Sequence, residues 1–83
     1  MQRISLIEKR IQSAFTPAHL EVIDDSHEHV GHIGSQDGAG HYTIIIRSDS
    51  FDELTRIQAH RKIYDVLSDL IPVEIHALKI KII

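Results

Sequence analysis

Two strand-like segments and the stretch between them constrain the fold of this chain more than any other feature. The first, HYTIIIRS (41–48), is rich in β-branched and aromatic residues, and the second, VEIHALKIKII (73–83), alternates apolar and basic residues. About two dozen residues with helical periodicity separate them. Because a connection that long usually joins parallel strands, the sequence predicts a parallel pair with a right-handed helical crossover.

The remaining segments complete a small α+β domain. Apolar residues at helical spacing from Ile4 to Phe15 predict an amphipathic helix that Pro17 ends. HLEVIDD (19–25) predicts a short strand, and the loop after it predicts that this strand is antiparallel to the next. The expected fold is a three-stranded mixed sheet with helices packed on one face, in a single domain over residues 1–83.

The crossover is predicted to contain two helices. Ser50 and Glu53 have the S-x-x-E spacing of a capping box, which predicts a short helix, and Thr55 with Gln58 repeats this spacing before a longer helix. The longer helix is expected to bury a broad apolar stripe, formed by Ile57, Ile63, Tyr64, Val66, Leu67, Leu70 and Ile71.

Composition excludes several classes of protein. The 83 residues include no cysteine, which excludes a disulfide framework and any thiolate ligand from the chain itself. No apolar run approaches the ~20 residues that cross a bilayer, and we expect a cytoplasmic protein that does not engage a membrane. The net charge of −3 argues against binding nucleic acid through a broadly basic surface. Seven histidines are an unusually high number for this chain. They indicate a candidate metal site, because histidine is the commonest metal ligand.

The predicted topology brings histidines that are distant in sequence to one end of the sheet. The end of the first strand and the starts of the other two would meet there, and with them five histidines: His27, His29, His32, His41 and His76. Ordinary structural roles compete with this interpretation. His76 is expected on the apolar face of the last strand, where it could be a partly buried core residue. The loop histidines could be simple polar loop residues, and His41 could only cap its strand.

Three kinds of site are compatible with these residues. A closed zinc site could combine the loop histidines with Asp24 or Asp25, although fold-stabilising zinc sites usually contain cysteine. A DNA-binding surface could use Arg56, Arg61 and Lys62 on the basic helix, which follows a short helix and a turn. The alternative is that this helix face is only solvated, with ion pairs such as Arg61–Asp65. A shared iron–sulfur site could use imidazoles for one iron of a [2Fe–2S] cluster, with thiolates from a partner on the other iron.

No enzymatic motif accompanies these candidates. The sequence has no P-loop, nucleophile elbow or dinucleotide fingerprint, and nothing in it supplies an ordered base with an electrophile. We therefore expect that the protein is not an enzyme.

Nearly the whole chain, from about residue 3 onward, resembles the BolA family. LEVIDDSHEHVGH is similar to the first strand and loop of that family, GHYTIIIRSDSF to its second strand and SD-x-F turn, and QAHRKIY to its HR-x-x-Y helix. VEIHALKIKII is similar to its final strand, with the HAL-x-I motif. The resemblance implies a class II KH-like fold in the order α-β-β-α-α-β. The G-x-x-G of RNA-binding KH domains is missing between the later helices, so KH-style RNA binding is not expected.

The resemblance also implies a partner and a shared cofactor. The partner would be a monothiol glutaredoxin, whose cysteine, with a glutathione, would ligate one side of a bridged [2Fe–2S] cluster. By motif match, the near-invariant strand histidine of the family falls on His76, and its variable loop ligand falls on His29, the third position after Ser26. His27 and His32 are alternatives that the match does not favour. The isolated chain is expected to hold no cofactor, and to be a monomer or a weak homodimer.

The family is also described as a group of transcriptional regulators that bind duplex DNA through the helix-turn-helix region. In this chain that region would be Phe51 to Tyr64, with Arg56, Arg61 and Lys62 as the DNA contacts.

Overall fold

A computed structural model describes residues 3–26 and 40–83 of the chain. Helix α1 spans Arg3–Phe15, strand β1 His19–Asp24, strand β2 Gly40–Arg47, helix α2 Arg56–Val66 and strand β3 Ile75–Ile82. Two single turns of 3₁₀ helix, Asp49–Phe51 and Ser68–Leu70, flank α2. None of the helices within these residues is both long and apolar enough to span a bilayer.

The sheet has the strand order β1-β2-β3, and its pairing confirms the predicted topology. Strand β1 is antiparallel to β2, with His19 opposite Arg47 and Asp24 opposite Tyr42. Strand β2 is parallel to β3, and the crossover that contains α2 joins them. The end of β1 and the starts of β2 and β3 therefore lie at the same end of the sheet, as the sequence predicted.

The core lies between one face of the sheet and the two α-helices. Alternate residues of β2 (Gly40, Tyr42, Ile44 and Ile46) are buried, whereas those between them face away from the core. The residues that the helices and turns add to this core are Ile7, Ile11, Phe15, Phe51, Ala59, Ile63, Leu67 and Leu70. The predicted α+β fold, with a mixed sheet and helices on one face, is confirmed.

The buried stripe of α2 is narrower than the sequence predicted. Ala59, Ile63 and Leu67, each four residues apart, face the core, whereas Ile57 is 66% exposed and Tyr64 is 41% exposed. Placing Ile57 and Tyr64 in the core was therefore wrong. A helix that packs on a sheet through one ridge of i, i+4 residues leaves its neighbouring apolar positions at the boundary or in solvent.

The helix-start predictions have mixed outcomes. The Thr55–Gln58 capping box is present, with both reciprocal hydrogen bonds. The predicted capping box of Ser50 and Glu53 does not form. The side chain of Ser48 accepts the Ser50 N–H instead, and the predicted short helix is a three-residue 3₁₀ turn. The buried Ser48 hydroxyl also donates to the Phe15 carbonyl at 2.7 Å, which ties the end of β2 to the end of α1.

A β-bulge at the start of β3 changes the orientation of His76. Gly40 is opposite Ile75 and His41 is opposite Ala77, so His76 is the additional residue on β3. Ile75 is buried, while His76 and Ala77 are both exposed. The prediction that His76 shares the apolar face with Leu78 was wrong, because strict alternation does not continue through a bulge.

Candidate metal centre

Two of the predicted histidines meet at one end of the sheet. The ring centroids of His41 and His76 are 5.1 Å apart, and the ring planes are inclined by 47°. His76 is exposed and His41 is half-buried. The structure thus brings together residues that are 35 positions apart in the sequence.

Backbone hydrogen bonds hold His41 against the residues that follow β1. The Asp25 N–H donates to the His41 carbonyl at 2.7 Å, and the His41 N–H donates to the Ser26 hydroxyl oxygen at 3.0 Å. The Ser26 N–H in turn donates to the Asp24 carboxylate at 2.8 Å, which closes an Asx turn. Residues 24–26 are thereby attached to the first residues of β2.

The start of β3 is attached to β2 and α1. The Gly40 N–H donates to the Glu74 carbonyl at 3.0 Å, and the Glu74 carboxylate accepts from Arg3 Nε at 2.7 Å. Tyr42 is buried beside these groups. Burial raises the pKa of its hydroxyl above the ordinary value, and the hydrogen bond from Arg3 opposes that rise. These contacts set the backbone that immediately precedes His76.

A small depression of about 190 Å³ lies next to His41 on the surface. It is lined by Asp25, His41, Tyr42, Ala77 and Lys79. The Thr43 hydroxyl donates a short hydrogen bond to the Asp25 carboxylate, which keeps that acid against the sheet. The depression therefore combines one carboxylate, one ammonium group and one imidazole at its rim.

The other histidines of the chain lie elsewhere or are outside the described residues. His27, His29 and His32 are outside the described residues, and so is most of the predicted closed zinc site. His19 lies at the opposite end of β1, where its ring is 3.0 Å from the Glu21 carboxylate, and His60 is half-buried on α2. Among residues 3–26 and 40–83, no group of three or more His, Asp or Glu side chains is arranged to hold a metal ion.

The exposed imidazole of His76 is compatible with a ligand to one iron of a shared [2Fe–2S] cluster. An exposed imidazole offers a neutral nitrogen ligand, and two such ligands can replace two thiolates on one iron. His76 is exposed at the surface, as a donor for a group held jointly with another protein must be. Since the chain has no cysteine, the ligands of the other iron would come from outside it.

The predicted DNA-binding residues are all exposed on α2. Arg56, Arg61 and Lys62 take part in no ion pair among the described residues, so the expected Arg61–Asp65 pair is absent there. The element before α2 is a single 3₁₀ turn, which is shorter than the first helix of a helix-turn-helix unit. The short helix predicted before α2 is therefore a single 3₁₀ turn, and the cationic surface of α2 is present.

Several residues that build this end of the sheet were not predicted. Ser26, Thr43 and the Arg3–Glu74 pair fix the positions of the two histidines, yet no local motif marks them. Arg3 and Glu74 are 71 residues apart in the sequence, and only the folded topology brings them together.

Comparison with known proteins points to one family. A family profile described as "BolA-like protein" matches residues 11–83. A Sinorhizobium protein described as "Uncharacterized protein in cobS 5'region" is 39% identical over 83 residues, which cover 98% of this chain and 89% of that protein. The "DNA-binding transcriptional regulator BolA" of Escherichia coli strain K12 is 35% identical over 72 residues, covering 87% of this chain and 66% of that protein, slightly less than two thirds of its length.

Solved structures show the same fold. The BolA domain of SufE1 from Arabidopsis thaliana superimposes with a TM-score of 0.85 at 34% identity, covering 99% of this chain and 91% of that one. The matched profile, the identities and the shared topology lead to one conclusion: the chain belongs to the BolA-like family.

Proposed function

We propose that this protein is a BolA-like accessory protein that binds a monothiol glutaredoxin and shares a glutathione-ligated [2Fe–2S] cluster with it. His76 and His29 are the ligands from this chain, and the glutaredoxin cysteine and glutathione ligate the other iron. The complex acts in iron–sulfur cluster trafficking or in iron and redox signalling, and this chain turns over no substrate.

The exposed imidazole of His76 at the bulge is the observation that supports this function most strongly. The bulge turns His76 away from the core, although the next residues of β3 return to regular alternation. A histidine kept in the core would have a packing role, whereas an exposed ring at a bulge is available to a second molecule.

The proposed loop ligand follows closely in sequence on a residue that is attached to this end of the sheet. Ser26 accepts a hydrogen bond from the His41 backbone, and His41 lies against His76. His29 is three residues beyond Ser26. Three residues of chain span at most about 10 Å, so the sequence limits the distance between His29 and Ser26 to that value. His27 and His32, one and six residues beyond Ser26, remain alternatives, and the limit for His32 is about 20 Å.

Two imidazoles and two thiolates make chemical sense as a shared ligand set. When bound, such a cluster has a higher reduction potential than an all-thiolate one, because neutral nitrogen replaces anionic sulfur on one iron. Each protein alone has only part of the ligand set. Assembly of the mixed-ligand cluster therefore requires both proteins, which suits a transfer or sensing role.

Reconstitution with the partner tests this function. The apo protein is mixed with a monothiol glutaredoxin, iron, sulfide and glutathione, and visible absorption and circular dichroism are recorded. We expect spectra that differ from those of the glutaredoxin cluster alone. His76→Ala should abolish the difference, and His29→Ala should abolish or strongly reduce it.

His19→Ala is the matched control, since His19 is an exposed histidine at the far end of β1. It should leave the mixed-cluster spectrum unchanged. Spectra identical to those of the glutaredoxin alone, with both proteins folded, would contradict the shared cluster.

DNA-binding regulation is the second candidate. It is favoured by three exposed cations on α2 without ionic partners among the described residues, and by the similarity to the Escherichia coli protein described as a DNA-binding transcriptional regulator. Duplex DNA binding that falls for Arg61→Glu but not for Lys9→Glu, an equal charge change on exposed α1, would support it. Binding that responds equally to both variants would indicate only general electrostatics.

A further inference from the structure

The spacing of His41 and His76 matches that of two imidazoles on one metal ion. With metal–nitrogen bonds of about 2.0–2.1 Å and a tetrahedral angle, the centroids of two ligating imidazoles lie about 5 Å apart. The observed centroid separation is 5.1 Å. From this geometry we propose that His41 and His76 form a two-imidazole site for a single divalent transition-metal ion of the Zn²⁺ class, in this chain without any partner protein.

The fold fixes both ligands on strands rather than on a loop. His41 is held through its backbone by Asp25 and Ser26, and His76 is held between residues that pair with β2. Ligands on paired strands keep their spacing better than ligands on loops, which lowers the ordering cost of binding. The backbone positions of both ligands are therefore fixed before the ion arrives.

The bulge is what creates the pairing. The register neighbour of His41 is Ala77, whose methyl group is too small to cover the imidazole. The additional residue places the His76 ring against the His41 ring instead. Without the bulge, the side chains of residues 76 and 77 would point to opposite faces of the sheet, so they would not both be exposed.

Two charged side chains beside His41 should change the affinity for a metal ion in opposite directions. Asp25 and Lys79 line the depression beside His41, and they carry opposite charges. The ammonium group opposes a cation at this place and the carboxylate favours it. Lys79→Gln should therefore tighten metal binding a few-fold, and Asp25→Asn, which keeps an acceptor for Thr43, should weaken it a few-fold.

The two-imidazole site differs in composition from the shared cluster. It uses His41 in place of a loop histidine, and it needs no thiolate. His76 belongs to both sites, so an ion bound by His41 and His76 competes with the cluster for that ligand. Only this competition rests on the proposed function; metal binding by the isolated chain does not.

Zinc titration of the isolated chain tests the site. Calorimetry gives the stoichiometry and affinity, and long-range ¹H–¹⁵N spectra follow each histidine ring. We expect one ion per chain, shifts of the His41 and His76 rings, and no shift of His19. His41→Ala and His76→Ala should each weaken binding by more than about tenfold, since each removes one of only two protein ligands. His19→Ala should leave the affinity unchanged, and far-UV circular dichroism confirms that every variant is folded.

A variant lacking all three loop histidines, His27→Ala/His29→Ala/His32→Ala, decides between the strand pair and the loop. Retained binding supports the strand pair. Loss of binding in this variant, together with full affinity in His41→Ala, would overturn the proposal, as would zinc shifts at only one of the two strand rings. Failure of the shared cluster is distinguishable, because His41→Ala is expected to lose zinc while it still forms the mixed cluster with glutaredoxin.

Discussion

Replacing Gly40 by alanine should destabilise the protein, because the side chain of Tyr42 occupies the space of the added methyl group. A Cβ built on Gly40 would lie 2.6 Å from both Cε2 and the hydroxyl oxygen of Tyr42. Non-bonded carbon atoms prefer about 3.5–4.0 Å, so one group must move. Tyr42 is only 3% exposed, and its ring cannot swing aside without opening the core.

The expected loss in the free energy of unfolding of Gly40→Ala is that of overpacking a filled site. Inserting a methyl group into a well-packed site costs about 1–3 kcal/mol. For a domain of this size, a loss of about 2 kcal/mol lowers the melting temperature by about 8–16 °C. Thermal and urea unfolding followed by far-UV circular dichroism measures both quantities.

A double-mutant cycle identifies the cause. In a Tyr42→Leu background the colliding ring atoms are gone, so the same Gly40→Ala change should cost much less, and the two changes should couple. Tyr42→Leu also has a cost of its own, which the cycle subtracts. Wild-type stability in Gly40→Ala, or additivity with Tyr42→Leu, would refute this account of the contact.

Three further predictions concern stability. Ser48→Ala should lose about 1–3 kcal/mol in urea unfolding, because it removes the donor 2.7 Å from the Phe15 carbonyl and leaves only the weaker Ser50 hydroxyl contact at 3.4 Å. The hydrogen bond from Arg10 holds the pKa of the Asp69 carboxyl below its ordinary value of 3.8. A depressed folded-state pKa gives stability that is complete above the unfolded value and lost as pH falls through the folded value, so the urea midpoint of wild type should exceed that of Asp69→Asn at pH 6 and approach it below about pH 4. His76→Ala should change the free energy of unfolding by less than about 0.5 kcal/mol, because the ring is exposed.

Each of these predictions has a contradicting outcome. Ser13→Ala, at an exposed serine of α1, is the control for Ser48, and equal effects of the two would contradict a specific buried hydrogen bond. A wild-type advantage over Asp69→Asn that does not change between pH 6 and pH 2 would contradict the ion pair. A loss of several kcal/mol in His76→Ala would show that the ring supports the core.

The topology was predictable because it depends on segment length and residue type. A helical crossover between HYTIIIRS and VEIHALKIKII favours parallel strands, and the structure has them. That single inference predicts that His41 and His76 lie at one end of the sheet, and they do. The Thr55–Gln58 capping box was also predictable, since a capping box is a local sequence motif.

The predictions that were wrong, for His76, Ser50 and Ile57, have physical causes that a sequence pattern does not contain. The bulge at His76 adds one residue to β3 without any glycine or proline to mark it, so alternation placed the ring on the wrong face. Ser48 rather than Ser50 begins the turn because its hydroxyl also binds the carbonyl at the end of α1, a contact between distant segments. The exposure of Ile57 depends on which ridge of α2 meets the sheet.

The central claim is that an imidazole of this chain ligates a cluster whose sulfur ligands come from a partner. Selective ¹⁵N labelling of histidine in this chain alone, followed by pulsed electron paramagnetic resonance of the reduced mixed cluster, tests it most directly. The predicted result is a strong ¹⁵N hyperfine coupling that weakens or disappears in His76→Ala and persists in His19→Ala. A reduced cluster with no histidine ¹⁵N coupling would contradict the claim.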